Sequence, residues 1–164
     1  MSTNSIGIIK LKLSTRGDYA VRALLELATS VDQEWMALAE LAERTGISPK
    51  YLEQILMRLR TSRVVKAKRG ARGGYALARP AGDLTIGEVV RVMDGPLAPS
   101  LCASRTAHAA CSVYRCPSED DCVLRGLWVE VREAISQVVD VTTFGDLVER
   151  RRLQESTQRA MYHI

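Results

Sequence analysis

A mainly α-helical fold carrying one small β-hairpin is what the sequence predicts, and three observations predict it. Apolar residues recur at three- and four-residue steps through much of the chain, with Ser, Thr or Pro where the runs begin and Gly where they end, as in capped amphipathic helices. One short segment around Gly70 breaks that period with two strand-like runs flanking a basic, Gly-rich turn. Aromatic residues make up only 5% of the 164 residues, with a single Phe, so helices packed by aliphatic side chains are expected and a large aromatic ligand cage is not. With 46% hydrophobic and 26% charged residues, the chain can build a core and is neither disordered nor of low complexity. No apolar run approaches the roughly 18 residues that cross a bilayer, and residues 1–10 lack the cationic head and apolar stretch of a signal peptide. No membrane partner and a cytoplasmic location are therefore expected.

Residues 1–10 have no useful periodicity and read as a flexible arm. Ser14 and Thr15 then precede a run in which Tyr19, Ala20, Ala23, Leu24 and Leu27 share one face, a helix over about 15–30, with Thr15 and Asp18 spaced as a capping box. A second helix is predicted from Met36 to Arg44, stopping at Gly46, which suits a left-handed cap. Ser48 then caps a third helix that has Pro49 at its first position and buries Leu52, Ile55, Leu56 and Leu59. Helix, Gly turn and capped helix make a helix-turn-helix pattern. Residues 64–77 follow as two strands around Arg69-Gly-Ala-Arg-Gly-Gly, a wing, so the architecture expected over 11–80 is a winged helix-turn-helix. The glycines lack the lysine-serine pattern or helix-opening fingerprint of a nucleotide-phosphate loop.

After Pro80, Thr85 and Glu88 open a connecting helix within 81–96 that ends at Asp94-Gly-Pro. Residues 97–122 have no period and hold all four cysteines, Cys102, Cys111, Cys116 and Cys122, spaced C-x8-C-x4-C-x5-C. A helix of about 17 residues starts at Val123, with a wide stripe of Val123, Leu124, Leu127, Trp128, Val131, Ile135 and Val138. So broad a stripe on a terminal helix exceeds what a small core can cover, and a second copy of the chain is the expected cover; folding back onto the N-terminal helices is the alternative. Residues 123–148 thus read as dimerisation helices, the last a short one from Thr142, and 149–164 as a charged tail.

The net charge of +4 is unevenly spread: Arg44 to Arg79 carries a net +9 and the remainder a net −5. A basic block in a near-neutral chain suits a surface that meets phosphates, with a solvated charged face as the plain alternative. For the cysteines three readings stand open: disulfides, disfavoured in a reducing compartment; structural zinc, although C-x2-C knuckles are missing; and an iron–sulfur cluster, which tolerates irregular spacing. No acid/base constellation accompanies the thiols, and His108 and His163 lie outside the periodic segments, so an enzyme is not expected.

The runs Leu11-Lys-Leu-Ser-Thr-Arg-Gly-Asp-Tyr-Ala20, Ile47-Ser-Pro-Lys-Tyr-Leu-Glu-Gln-Ile55, Arg69-Gly-Ala-Arg-Gly-Gly-Tyr75, Gly87-Glu-Val-Val90 and Leu127-Trp128 resemble the winged-helix repressors of the Rrf2 family, in order from Leu11 to about Val148. Asp94-Gly-Pro-Leu-Ala-Pro99, Thr142-Thr-Phe-Gly-Asp-Leu147 and Met161-Tyr-His-Ile164 look more like its CymR branch, whereas the cysteines look like the cluster-binding IscR and NsrR branches. The resemblance implies a homodimeric transcription regulator of iron–sulfur, redox or cysteine homeostasis that binds a double-stranded DNA operator. It implies Ser48, Lys50, Tyr51, Glu53 and Gln54 as reading residues, with Arg69 and Arg72 in the wing. Lys50 and Gln54 suit base edges, Ser48 and Tyr51 phosphates, Arg69 the minor groove, and Glu53 an exocyclic amine of cytosine or, alternatively, a helix salt bridge. It further implies a cluster on the cysteines, [2Fe–2S] in preference to [4Fe–4S]. Four cysteines stand where the family usually shows three, which leaves Cys111, Cys116 or both as middle ligands. Arg125 occupies the place of a histidine ligand in one branch, and Asp18 that of an aspartate given by the partner subunit in another. All-cysteine ligation is the first choice and Asp18 the second. The alternative function is a CymR-like or zinc-stabilised regulator whose loop is structural and whose signal is a protein partner.

Overall fold

The computed structural model describes residues 13–30, 35–70, 72–111 and 118–161. Six helices and one hairpin follow in the order α1 (Thr15–Thr29), α2 (Leu38–Thr45), α3 (Pro49–Thr61), β1 (Val65–Lys68), β2 (Gly74–Leu77), α4 (Ile86–Asp94), α5 (Val123–Val139) and α6 (Phe144–Met161). This is a mainly α-helical winged helix. Gly46 ends α2 with φ 68°, a left-handed turn that costs a glycine little and sends the chain sharply into α3. One core joins Ala20, Ala23 and Leu24 of α1, Leu41 of α2, Leu52, Ile55, Leu56 and Leu59 of α3, Val89 and Met93 of α4, and Phe144.

The helix starts differ from their expected chemistry in an instructive way. The cap of α1 is Ser14, whose hydroxyl accepts from the Gly17 N–H at 3.0 Å, and not Thr15. Asp94, at the far end of α4, accepts from the Ser14 N–H at 2.9 Å and from its hydroxyl, placing a carboxylate at the positive end of α1. A side chain on Gly17 would collide with that carboxylate, so only glycine permits the contact. Asp18, freed from capping, pairs with Arg22 one turn on at 2.8 Å. At α4 the Thr85 hydroxyl accepts from the Glu88 N–H, but the Glu88 carboxylate turns to Arg79, so half of the expected capping box forms.

Met36 lies outside α2. It exchanges two backbone hydrogen bonds with Tyr75 (3.0 and 2.8 Å), adding a one-residue rung on the side of β2 away from β1. Further on, the chain returns to the core: the Ile86 N–H donates to the Thr142 carbonyl and the Phe144 N–H to the Leu84 carbonyl, both at 3.0 Å, and Phe144 is fully buried. From that anchor α6 runs to Met161 instead of stopping near Val148, so residues 149–161 of the stretch read as a charged tail are helical, and 162–164 lie outside the described residues. Arg151 ties it to Glu26 of α1 at 2.7 Å, and Arg151–Glu155 and Glu149–Arg152 pairs brace it along its length. α5 buries no residue within the chain; Val123 is 86% exposed, Leu124 52%, Leu127 47% and Val138 64%. Its C-terminal end is held to α4 by Arg91, which donates to both carboxylate oxygens of Asp140.

Candidate nucleic-acid interface and cysteine loop

α3 has two faces. Leu52, Ile55, Leu56 and Leu59 are buried, which fixes the helix in rotation, and the opposite face carries Lys50, Glu53 and Gln54 exposed to solvent. Ser48 stands exposed at the helix start and its hydroxyl makes no capping bond; the Tyr51 and Leu52 N–H groups donate to its carbonyl at 3.1 and 3.0 Å. Tyr51 is half-buried, its ring edge-on to that of Tyr19 with centroids 5.8 Å apart, so its aromatic body is fixed against α1. Met57, 64% exposed, continues the face of Lys50, Glu53 and Gln54 one turn further and was invisible to a reading of polar motifs.

The wing follows α3 along the chain and contacts it through β1. β1 and β2 pair antiparallel with Val65 opposite Leu77 and Lys68 opposite Gly74. Val65 is buried, whereas Lys66, Lys68, Arg69 and Arg72 are exposed, so the hairpin offers four cations to solvent from one short segment. The turn closes with the Gly73 N–H on the Gly70 carbonyl at 2.9 Å, and Gly70 has φ 109°, a backbone that side chains rarely adopt. Arg79, although within the basic block, lies outside the wing and is taken up by Glu88. Trp35, not singled out by any motif, lies under the Lys66 and Lys68 ammonium groups, 4.9 and 5.6 Å from its ring centroid.

The cysteine loop begins with one ordered turn. Cys102 sits on a 3₁₀ turn, Leu101–Ala103, and is buried, its sulfur 3.1 Å from the Ser100 hydroxyl. Two arginines of α5 hold this turn by its backbone: Arg125 donates to the Cys102 carbonyl at 3.1 Å and Arg132 to the Ala103 carbonyl. Cys122 is the N-cap residue of α5, three residues before Arg125, so the two arms of the loop meet at the start of that helix. Glu119 bridges His108 (2.9 Å) and Arg125 (3.6 Å) across the same region. Arg125, standing where a histidine ligand was considered, thus has a structural task that a non-coordinating cation performs well. Cys111 is half-buried, Cys116 lies outside the described residues, and Asp18 is engaged by Arg22. Among the described residues no group of three or more His, Cys, Asp or Glu side chains is already gathered about a metal position, and no helix is long and apolar enough to cross a membrane.

A family model, Rrf2, described as an iron-dependent transcriptional regulator, matches residues 13–150. The HTH-type transcriptional regulator IscR of Klebsiella pneumoniae is 31% identical over 153 residues, covering 93% of this chain and 89% of the relative. The structure of CymR, the global cysteine regulator of B. subtilis, is similar with a TM-score of 0.69 and 33% identity, covering 86% of this chain and 98% of that one. That of T. potens IscR is similar with a TM-score of 0.66 and 33% identity, covering 88% and 91%.

Proposed function

Because the chain belongs to the Rrf2 family of transcriptional regulators, we propose that it is a homodimeric repressor that grips a double-stranded operator with α3 and the wing, and that an iron–sulfur cluster in the cysteine loop sets its operator affinity. The observation that carries this reading is the division of α3 into a buried apolar face and an exposed face bearing Lys50, Glu53 and Gln54, together with the exposed cations Lys66 and Lys68 of β1 and Arg69 and Arg72 of the turn. Lys50 and Gln54 address base edges, Glu53 accepts from a cytosine amine, and Ser48 and Tyr51 donate to phosphate. Arg69 enters the minor groove at the Gly70 turn and Arg72 holds the adjacent backbone. The uncovered stripe of α5 supports a second copy as the first partner, since two such stripes bury one another in a two-fold pair.

The donor set suits an iron–sulfur group in its chemistry, thiolates being the usual ligands, and Arg125 draws the Cys102 turn toward the α5 start where Cys122 sits. Cys102 and Cys122 would be the outer ligands, with Cys111 and Cys116 between them and Asp18 of the partner subunit as the second choice for the fourth place. [2Fe–2S] is the favoured form and [4Fe–4S] the other. Such a group supplies a centre whose loss or oxidation changes how the loop is held. From the loop, Arg125 and Arg132 lead to α5, the Arg91–Asp140 pair leads from α5 to α4, and Asp94 leads from α4 to the start of α1. Each link includes a charged side chain, α1 and α4 also share the hydrophobic core, and together these contacts offer the loop a path to the DNA-binding head.

Anaerobic purification tests the proposal. A brown protein with visible absorption, whose duplex affinity changes when iron is chelated, is the expected result; a colourless protein holding one zinc per chain overturns the cluster while leaving the DNA-binding reading in place. One observation favours a second reading, a CymR-like regulator with a structural loop and a protein partner as signal: Arg125 and Arg132 of α5 hold the Cys102 turn by its backbone carbonyls.

A further inference from the structure

The wing has a third strand in embryo, and its side chain has a consequence for DNA. Met36 pairs with Tyr75 on the open edge of β2 and is buried beneath the sheet. Side chains alternate along extended chain, so Trp35, one residue back, belongs to the opposite, outer face. On that face β1 carries Lys66 and Lys68, and the β2 residues paired with them are Ala76 and Gly74. Two of the smallest residues thus leave a shelf across β2 over which the indole reaches both lysines, whose ammonium groups lie 4.9 and 5.6 Å from its ring centroid. A side chain on Gly74 would meet the Met36 backbone, so the same glycine that opens the shelf also admits the rung that carries Trp35. The indole N–H is buried without a hydrogen-bond partner among the described residues, so the contacts that single out this ring are those of its face with the two lysines.

We propose that Trp35 is a positioning residue for DNA binding: its ring gathers the Lys66 and Lys68 ammonium groups into a fixed pair of phosphate-binding cations beside the Arg69 tip. The inference rests on the reading of the wing as a DNA interface. Two long, flexible side chains that would otherwise pay for their ordering on contact are ordered in advance, and the ring's negative face keeps their charges close without neutralising them.

The test uses the full-length protein and a random-sequence duplex of about 30 base pairs, with affinity read by anisotropy between about 50 and 200 mM salt. Trp35→Leu is expected to weaken binding about fivefold and to lower the steepness of the salt dependence by about one phosphate contact, while Trp35→Phe, which keeps an aromatic face, stays within about twofold of the parent. In the Lys66→Gln/Lys68→Gln background Trp35→Leu is expected to add nothing, the signature of one shared interaction. Equal losses in both backgrounds, or no loss from Trp35→Leu in a protein whose thermal melt is unchanged, overturn the proposal. A parent protein that binds no duplex overturns the DNA-interface reading itself, and this inference with it.

Discussion

Truncation of Leu127 on α5 gives the most direct test of the proposed two-fold pairing. Fully burying a leucine side chain contributes about 1.5–3 kcal/mol. Leu127 is 47% exposed in the single chain, so roughly half of that, about 1 kcal/mol, is left for a partner to supply. In a two-fold interface the change occurs twice, and Leu127→Ala therefore costs about 2 kcal/mol of association, or roughly 30-fold in dimer dissociation constant at about 1.4 kcal/mol per tenfold. Leu127→Asp places a carboxylate in the same apolar seam and is expected to leave a monomer at micromolar concentration. Sedimentation velocity over a concentration series measures both. Met57→Ala serves as the control, because Met57 is at least as exposed but lies on α3. A parent chain that is monomeric throughout, or a Leu127→Asp protein that associates like its parent, would refute the reasoning.

Arg69→Ala is expected to weaken operator binding by roughly 1–3 kcal/mol and to reduce sequence discrimination, whereas Arg79→Ala leaves the salt dependence of binding unchanged and shows itself in the melting temperature through the lost Glu88 pair; equal binding losses from both would remove the role given to the wing. Cys102→Ala and Cys122→Ala should each abolish visible absorption of anaerobically prepared protein, while the middle pair reports the fourth ligand: if Cys111→Ala and Cys116→Ala both lose the colour, Asp18→Ala keeps it, and if one of them is silent, Asp18→Ala loses it. Retained colour without Cys102 or without Cys122 defeats the assignment. The hydrogen bond from Arg91 holds the Asp140 carboxyl below the ordinary carboxylate range, against the opposing effect of burial. Its contribution is therefore present above about pH 4 and is lost as pH falls through the depressed value, so Asp140→Asn should flatten the acid limb of a melting-temperature profile between about pH 5 and 3. An Asp140→Asn profile parallel to that of the parent over this range would show that the pair has no such role.

Local chemistry accounts for most of what could be read from residues alone. The apolar spacing of Leu52, Ile55, Leu56 and Leu59 set the rotation of α3, the Gly46 turn set its direction, and the alternation around Arg69-Gly-Ala-Arg-Gly-Gly set the wing, because each depends on residues within a few positions of one another. The wide stripe of α5 was legible for the same reason, as a face with too much apolar surface for the rest of the chain. The C-terminal half of α6 was not: it is polar all round, so no hydrophobic period betrays it, and its helix is braced by Arg151 reaching Glu26 across the fold. Other contacts likewise became visible only in three dimensions. The Asp94 carboxylate reaches Ser14 across 80 positions, Arg125 holds the Cys102 carbonyl from 23 positions away, and Trp35 meets Lys66 and Lys68 through a rung formed by its neighbour. Periodicity and capping are properties of neighbouring residues and are therefore written in the sequence itself, whereas which distant charge finishes a helix end, or which ring a lysine rests on, is decided by packing that brings remote segments together.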